Sequence, residues 1–235
     1  MHQESRLFFK KIFIKLLLMC ISLSGVLLSI METPINLDNL FFFTIQSNIL
    51  VFLTAAVCLI LDTYSYITLR KFNNSKLYHL KYLVVINITV TFFVFSCFIA
   101  PFYPVEMLFT YKNLSVHLFS PLITLFDFYY FDYNFNIQKR SYLLGAIYPL
   151  IYAIVILSLS TNGKTYNGQA VPYPFLDYTY LSWFDISVSN HHFGVFYIMI
   201  FACLLIIGLS FLLEKFIIMR KKSALTGSDK VIYKL

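Results

Sequence analysis

Thr44 and His117 are the residues of this chain whose types and settings point most directly to chemistry. Thr44 opens the polar run Thr44-Ile45-Gln46-Ser47-Asn48 near the start of one apolar stretch, and His117 lies three residues inside another. An ionisable side chain within an apolar segment of bilayer length indicates function. An imidazole can accept a hydroxyl proton near neutral pH and so turn a threonine into a nucleophile. The two residues therefore predict a nucleophilic pair if the fold brings them together.

The composition is typical of a membrane protein. The chain has 235 residues, of which 59% are hydrophobic and only 12% are charged, and a soluble domain needs more polar surface than this. A helix needs about 20 residues to cross the hydrocarbon core, and lipid offers no partners to open backbone groups. We therefore predict an all-α, polytopic single domain with six transmembrane helices. Their predicted bounds are 12–30, 41–61, 79–100, 114–131, 142–160 and 194–216.

The basic residues are distributed unevenly between the predicted loops. Of the 18 lysines and arginines, all but Lys112 and Lys164 fall at the two termini or in the loops that follow the second and fourth spans. Basic residues next to transmembrane helices favour the cytoplasmic side. This pattern predicts that both termini are cytoplasmic. Topology also explains the net charge of +7, so the charge does not indicate nucleic-acid binding.

In this topology Thr44 and His117 each lie three residues below the outer face. Helical spacing places Ser47 and Asn48 on the same stripe as Thr44, and a second polar stripe includes His117. We predict that both stripes face the interior of the bundle. Asn48, one turn below Thr44, is then a candidate donor to an oxyanion, with Ser47 as further support of the site. Hydrogen bonding between helices is the alternative role of these side chains.

A long outer loop, 161–193, connects the fifth and sixth spans. It is rich in aromatic residues, which suit the headgroup layer, and we predict that it lies across the outer face as a lid. Tyr173 and Phe175 are expected to pack over the second and fourth spans. Asp177 is a candidate acid that orients His117. The other carboxylates expected on that side are Asp38, Glu106 and Asp185.

Asp127 lies inside the fourth span, where a carboxylate is unfavourable unless it is paired or protonated. It follows His117 by ten residues, which places it about 15 Å deeper along the helix, so it cannot orient the histidine. Its predicted role is structural anchoring with Arg140 as the candidate partner, and a proton or ion path is the alternative. Asp62, at the end of the second span, is expected to be only solvated.

The cysteines indicate packing residues. Cys20, Cys58, Cys97 and Cys203 all lie within predicted spans, and no CxxC pair is present. This arrangement disfavours a disulfide framework or a zinc site. We expect neither a metal nor a cofactor.

Four short motifs follow one another along the chain. They are Phe43-Thr44-Ile45-Gln46-Ser47-Asn48, His117 with Pro121, Tyr148-Pro149-Leu150-Ile151-Tyr152 and Tyr173-Pro174-Phe175-Leu176-Asp177. In this order across six spans, the set resembles bacterial relatives of the androgen-induced family of membrane hydrolases. The resemblance implies that Thr44 is the nucleophile and His117 the base. The family's animal members cleave fatty acid esters of hydroxy fatty acids.

The resemblance further implies an integral protein of the bacterial cell membrane that hydrolyses lipid esters. Three other classes also fit the residues. A membrane acyltransferase would use the same pair with an acceptor other than water. A small transporter would use Asp127 and His117 to handle ions, and a structural or partner-binding membrane protein would need no chemistry. The oligomeric state is not indicated.

Overall fold

Six long helices form the body of the computed structural model, which describes residues 2–31, 35–69, 75–102, 104–132, 140–187 and 192–226. The helices are α1 His2–Ile30, α2 Phe43–Thr68, α3 Ser75–Ile99, α4 Tyr111–Asp132, α5 Ser141–Thr161 and α6 Val195–Thr226. Each has the length and the hydropathy to cross a membrane. The chain is therefore an all-α, multi-pass membrane protein, as its apolar runs predict.

Three helices extend well beyond their predicted apolar runs, each at the end where the basic residues lie. Helix α1 begins at His2 instead of residue 12, α2 ends at Thr68 instead of residue 61, and α6 ends at Thr226 instead of residue 216. Hydropathy marks only the part of a helix that lies in hydrocarbon, whereas helical hydrogen bonding continues into the headgroup layer. We call this end of the bundle the lysine end, and the end that carries loop 161–193 the lid end.

Two helices contain π-helical turns, at Phe95–Ile99 in α3 and at Ser115–Phe119 and Phe128–Asp132 in α4. Pro121 explains one of them. The N–H of Ser120 bonds to the carbonyl of Ser115, five residues earlier, and Pro121 has no N–H to offer the next carbonyl, that of Val116. The Val116 carbonyl is therefore left open to a partner from another helix. Such turns frequently occur at functional sites.

Short elements occupy the connections at the lid end. A 3-10 helix, Leu37–Phe41, precedes α2, and single helical turns at Pro174–Leu176 and Tyr178–Leu181 lie between α5 and α6. An antiparallel pair of two-residue strands, β1 Ile186–Ser187 and β2 His192–Phe193, leads into α6. These strands are too short to change the fold class.

The helices pack around three apolar cores. Helix α1 packs along α2 and against α4, and α3 contacts α2, α4 and α6. The largest core joins α3, α5 and α6 to the loop before α6, and two smaller cores lie beside α1. Gly25 allows α1 to approach α4, since a Cβ there would overlap Ser115 Oγ and lie 2.6 Å from the Val116 side chain. Large apolar side chains also cover much of the outer surface, as contact with lipid requires.

Candidate functional site

The structure places Thr44 and His117 on the walls of one cavity at the lid end. The cavity has a volume of about 750 Å³ and is bounded by α2, α3, α4, α6 and loop 161–193. Its polar side chains include Asn39, Thr44, Lys112, Asn113, His117 and Tyr173. Its apolar side chains include Val94, Phe95 and Phe98 from α3 and Phe201, Ala202 and Leu205 from α6. The polar pair therefore faces a space that is otherwise largely hydrophobic.

Thr44 is the second residue of α2, in the first helical turn. At this position its N–H has no acceptor within the helix. The N–H donates instead to the hydroxyl oxygen of Tyr173 at 3.3 Å, and Thr44 Oγ1 lies 3.4 Å from the same oxygen. Thr44 is 8% exposed and Tyr173 is 9% exposed. The threonine hydroxyl is therefore buried beneath the loop that the sequence predicts to be a lid.

His117 lies in the π-helical turn Ser115–Phe119 of α4. Its ring stacks on Phe95 of α3, with the ring centroids 3.7 Å apart and the planes 11° from parallel. Its Nδ1 is buried and has no hydrogen-bond partner among the described residues. Among the described residues no hydrogen bond joins His117 to Thr44, so the two side chains share a cavity without being bonded to each other. The fold holds the imidazole through its ring face.

Asn48 and Ser47 connect helices, and neither is among the described residues that line the cavity. The Asn48 Nδ2 donates to the carbonyl of Thr44 at 2.8 Å and to that of Val116 at 3.1 Å. The latter is the carbonyl that the π-helical turn leaves open. Ser47 Oγ donates to the Thr44 carbonyl at 2.9 Å and lies 2.9 Å from Thr91 Oγ1. Because both amide hydrogens of Asn48 are engaged, this residue does not serve as the expected oxyanion donor.

Tyr173 and Phe175 bring loop 161–193 onto the cavity. Their rings stack with centroids 5.2 Å apart, and both line the cavity wall. Asp177, which follows them closely, does not reach His117. Its Oδ1 accepts from the Thr179 N–H at 3.0 Å and so caps the short helix Tyr178–Leu181. The expectation that Asp177 orients the histidine is therefore wrong for this arrangement, whereas Tyr173 contacts Thr44 directly.

The other candidate carboxylates, Asp38, Glu106 and Asp185, do not line the cavity either. Asp38 accepts from Lys164 Nζ at 2.7 Å and from the Asn167 N–H at 3.4 Å. The hydrogen bond from Lys164, with that from Asn167, lowers the pKa of the Asp38 carboxyl below its usual value. These bonds connect the start of the loop to the segment that precedes α2.

Asp127 belongs to a separate polar site at the lysine end, which we call the ion cluster. The cluster consists of Lys11, Lys15, Asp62, Lys81, Asp127 and Asp132. Asp127 is fully buried and pairs with Lys15 at 2.8 Å and with Lys81. Asp132 pairs with the same two lysines. The cluster holds equal numbers of positive and negative groups and joins α1 and α3 to α4.

Two expectations about this region are wrong. Arg140 is exposed and is not the partner of Asp127. Asp62 is not merely solvated, because it pairs with Lys11 at 2.7 Å. The sequence contains a signal that could have identified the partners, since Lys15 and Lys81 both lie inside predicted apolar spans. Because both lysines lie near the ends of these spans, the positive-inside rule treats them as loop charges instead of buried partners of a carboxylate.

No group of three or more His, Cys, Asp or Glu side chains could hold a metal ion within the described ranges. Comparison of the chain with known protein families, with curated proteins and with solved structures found no match.

Proposed function

We propose that this protein is a membrane-embedded hydrolase of lipid esters, in which Thr44 is the nucleophile and His117 the general base. The observation that carries the proposal is that both side chains line one cavity whose remaining wall is largely apolar. The motif resemblance to the androgen-induced hydrolases assigns the same two roles. The surroundings of His117 support its role as a base, and the apolar wall supports a lipid substrate.

The state of the histidine supports its role as a base. Buried polar groups in proteins nearly always have hydrogen-bond partners, yet Nδ1 of His117 has none among the described residues. The stacking of the ring on Phe95 fixes its plane without using a ring nitrogen. The imidazole is therefore free to accept a proton from a group that enters the cavity or from the Thr44 hydroxyl, which lines the same cavity.

The apolar wall supports a lipid substrate. Phe98 of α3 and Phe201 of α6 line the cavity and are 48% and 59% exposed. The proposal places the entrance for the substrate between these two helices, facing the hydrocarbon. A second, smaller cavity of about 110 Å³ shares Thr44 and Tyr173 and continues between α3, α5 and α6. An acyl chain can occupy these apolar spaces while its ester carbonyl lies beside Thr44.

The proposed reaction has two steps. His117 accepts the proton of Thr44 Oγ1, the oxygen attacks the ester carbon, and the alcohol leaves with that proton. Water then gives a proton to His117 and attacks the acyl-threonine. This step releases the fatty acid and restores the threonine hydroxyl.

The test is lipid-ester hydrolysis by purified variants. Thr44→Ala and His117→Ala should each lower kcat by at least about 10³-fold, and the double variant should be no slower, because nucleophile and base act as a unit. Thr44→Ser keeps a hydroxyl and should retain part of the activity. Thr63→Ala is the matched control on α2, since among the described residues its hydroxyl bonds only to the Leu59 carbonyl. His79→Ala, at a partly exposed site of α3 outside the cavity, is the control for the histidine.

Product analysis in the same assay separates the hydrolase from an acyltransferase, which would form a new ester instead of free fatty acid. Thr44→Ala that turns over lipid esters at the parental rate would contradict the proposed function.

A further inference from the structure

The hydroxyl of Tyr173 in loop 161–193 reaches Thr44. Its oxygen accepts from the Thr44 N–H at 3.3 Å and lies 3.4 Å from Thr44 Oγ1. A phenol hydroxyl can accept one hydrogen bond and donate another. The first turn of α2 also presents the positive end of the helix dipole at this point. Negative charge that develops next to Thr44 Oγ1 would thus meet both a donor and a favourable field.

We propose that Tyr173 is the oxyanion donor of the reaction, an inference that rests on the proposed function. When Thr44 Oγ1 attacks, an O–C bond forms, and the electron pair of the carbonyl π bond moves onto the carbonyl oxygen. That oxygen is bonded to the same carbon as Oγ1, so a substrate with this oxygen turned towards loop 161–193 brings it within reach of the phenol. Tyr173 donates a hydrogen bond to it and keeps its proton. When the intermediate collapses, the electron pair on the oxygen re-forms the carbonyl π bond. The bond to the alcohol breaks, and the alcohol departs with the proton that His117 carries.

The surroundings of Tyr173 suit this role. Its ring is fixed by stacking on Phe175 and by an edge contact with Phe42 at 5.6 Å. A preorganised donor in a buried setting stabilises a developing charge more strongly than water does. The bond that the phenol accepts from the Thr44 N–H polarises its own O–H and strengthens it as a donor. Asn48, the donor expected from the sequence, has no amide hydrogen left for this task.

Tyr173→Phe tests the proposal, because it removes the hydroxyl and keeps the stacked ring. For an ordinary ester, kcat should fall by about 10²–10³-fold, while KM changes little. Tyr178→Phe is the matched control in the same loop, since that hydroxyl contacts Ser160 at 3.2 Å and lies outside both cavities. It should leave kcat near the parental value.

A thionoester of the same lipid distinguishes an oxyanion donor from a structural role. Sulfur accepts hydrogen bonds weakly, so the thionoester gains little from the phenol, and the ratio of ester to thionoester rates should fall in Tyr173→Phe. An unchanged ratio, or a parental kcat, would overturn the proposal. If Tyr173→Phe fails to fold, 3-fluorotyrosine at position 173 is the second variant, because it keeps the hydroxyl and changes its acidity. An unchanged ratio of ester to thionoester rates in this variant would also overturn the proposal. If Thr44→Ala is inactive but Tyr173→Phe has the parental kcat, only the role of Tyr173 is rejected. If Thr44→Ala is active, the proposed function itself is rejected.

Discussion

At the scale of single residues, Asn48 and Tyr173 have roles that residue type alone does not assign. An amide one turn below a nucleophile suggests an oxyanion donor, but the amide hydrogens of Asn48 bond to two backbone carbonyls. Pro121 makes a break in the hydrogen bonding of α4 predictable from sequence. It does not reveal that Asn48 satisfies the open Val116 carbonyl, because that depends on how α2 packs on α4. The aromatic loop predicts that Tyr173 packs over the second span, but it does not predict that the tyrosine hydroxyl contacts Thr44, 129 positions away in the chain.

Replacement of Asn48 by leucine should lower stability and spare the chemistry. Asn48→Leu leaves the Val116 carbonyl buried without its donor, which costs about 1–3 kcal/mol. The side chain does not line the cavity, so kcat per folded molecule should stay close to the parental value. Thermal unfolding in detergent and kcat are the two measurements. Thr54→Val is the control, since in the described part of the chain its hydroxyl bonds only to carbonyls of α2. Unchanged stability together with a large loss of kcat would instead assign Asn48 to the reaction.

At the scale of helices, the sequence predicts the number of transmembrane helices. It does not predict where three of them end or which side chains pair between them. Six apolar runs predict six helices because an open backbone is not tolerated in hydrocarbon. The predicted bounds of α1, α2 and α6 stop short of their polar ends, because hydropathy identifies only the part of a helix that lies in hydrocarbon. The partners of Asp127 are missed for another reason. Lys15 and Lys81 lie within apolar runs, yet the positive-inside rule treats basic residues near span ends as loop charges.

The ion cluster gives a prediction at this scale. Asp127→Asn removes one carboxylate from fully buried Lys15 and nearly buried Lys81, and breaking a buried pair in this way destabilises by about 3–5 kcal/mol. The double variant Asp127→Leu with Lys81→Met removes a charge of each sign, so it should recover much of that stability. Unfolding in detergent measures both. Equal stability of Asp127→Asn and the parent protein would show that the cluster does not hold α1 and α3 to α4.

At the scale of the whole molecule, the two polar sites lie at opposite ends of the bundle. The ion cluster joins helices at the lysine end, and the cavity with Thr44 and His117 lies at the lid end. Three of the basic residues used to orient the chain, Lys11, Lys15 and Lys81, belong to the cluster. Those that remain at the lysine end still outnumber Lys112 and Lys164, so cytoplasmic termini stay the prediction. In that orientation loop 161–193 covers the cavity at the outer end of the bundle.

Covalent labelling is the most direct test of Thr44 as the nucleophile. A lipophilic fluorophosphonate that enters the cavity should form a stable adduct on Thr44 Oγ1, identified by mass spectrometry of the labelled peptide. The adduct should be absent in Thr44→Ala, should form slowly in His117→Ala and should form at the parental rate in Thr63→Ala. An adduct on a different residue, or undiminished labelling of Thr44→Ala, would contradict the proposed chemistry.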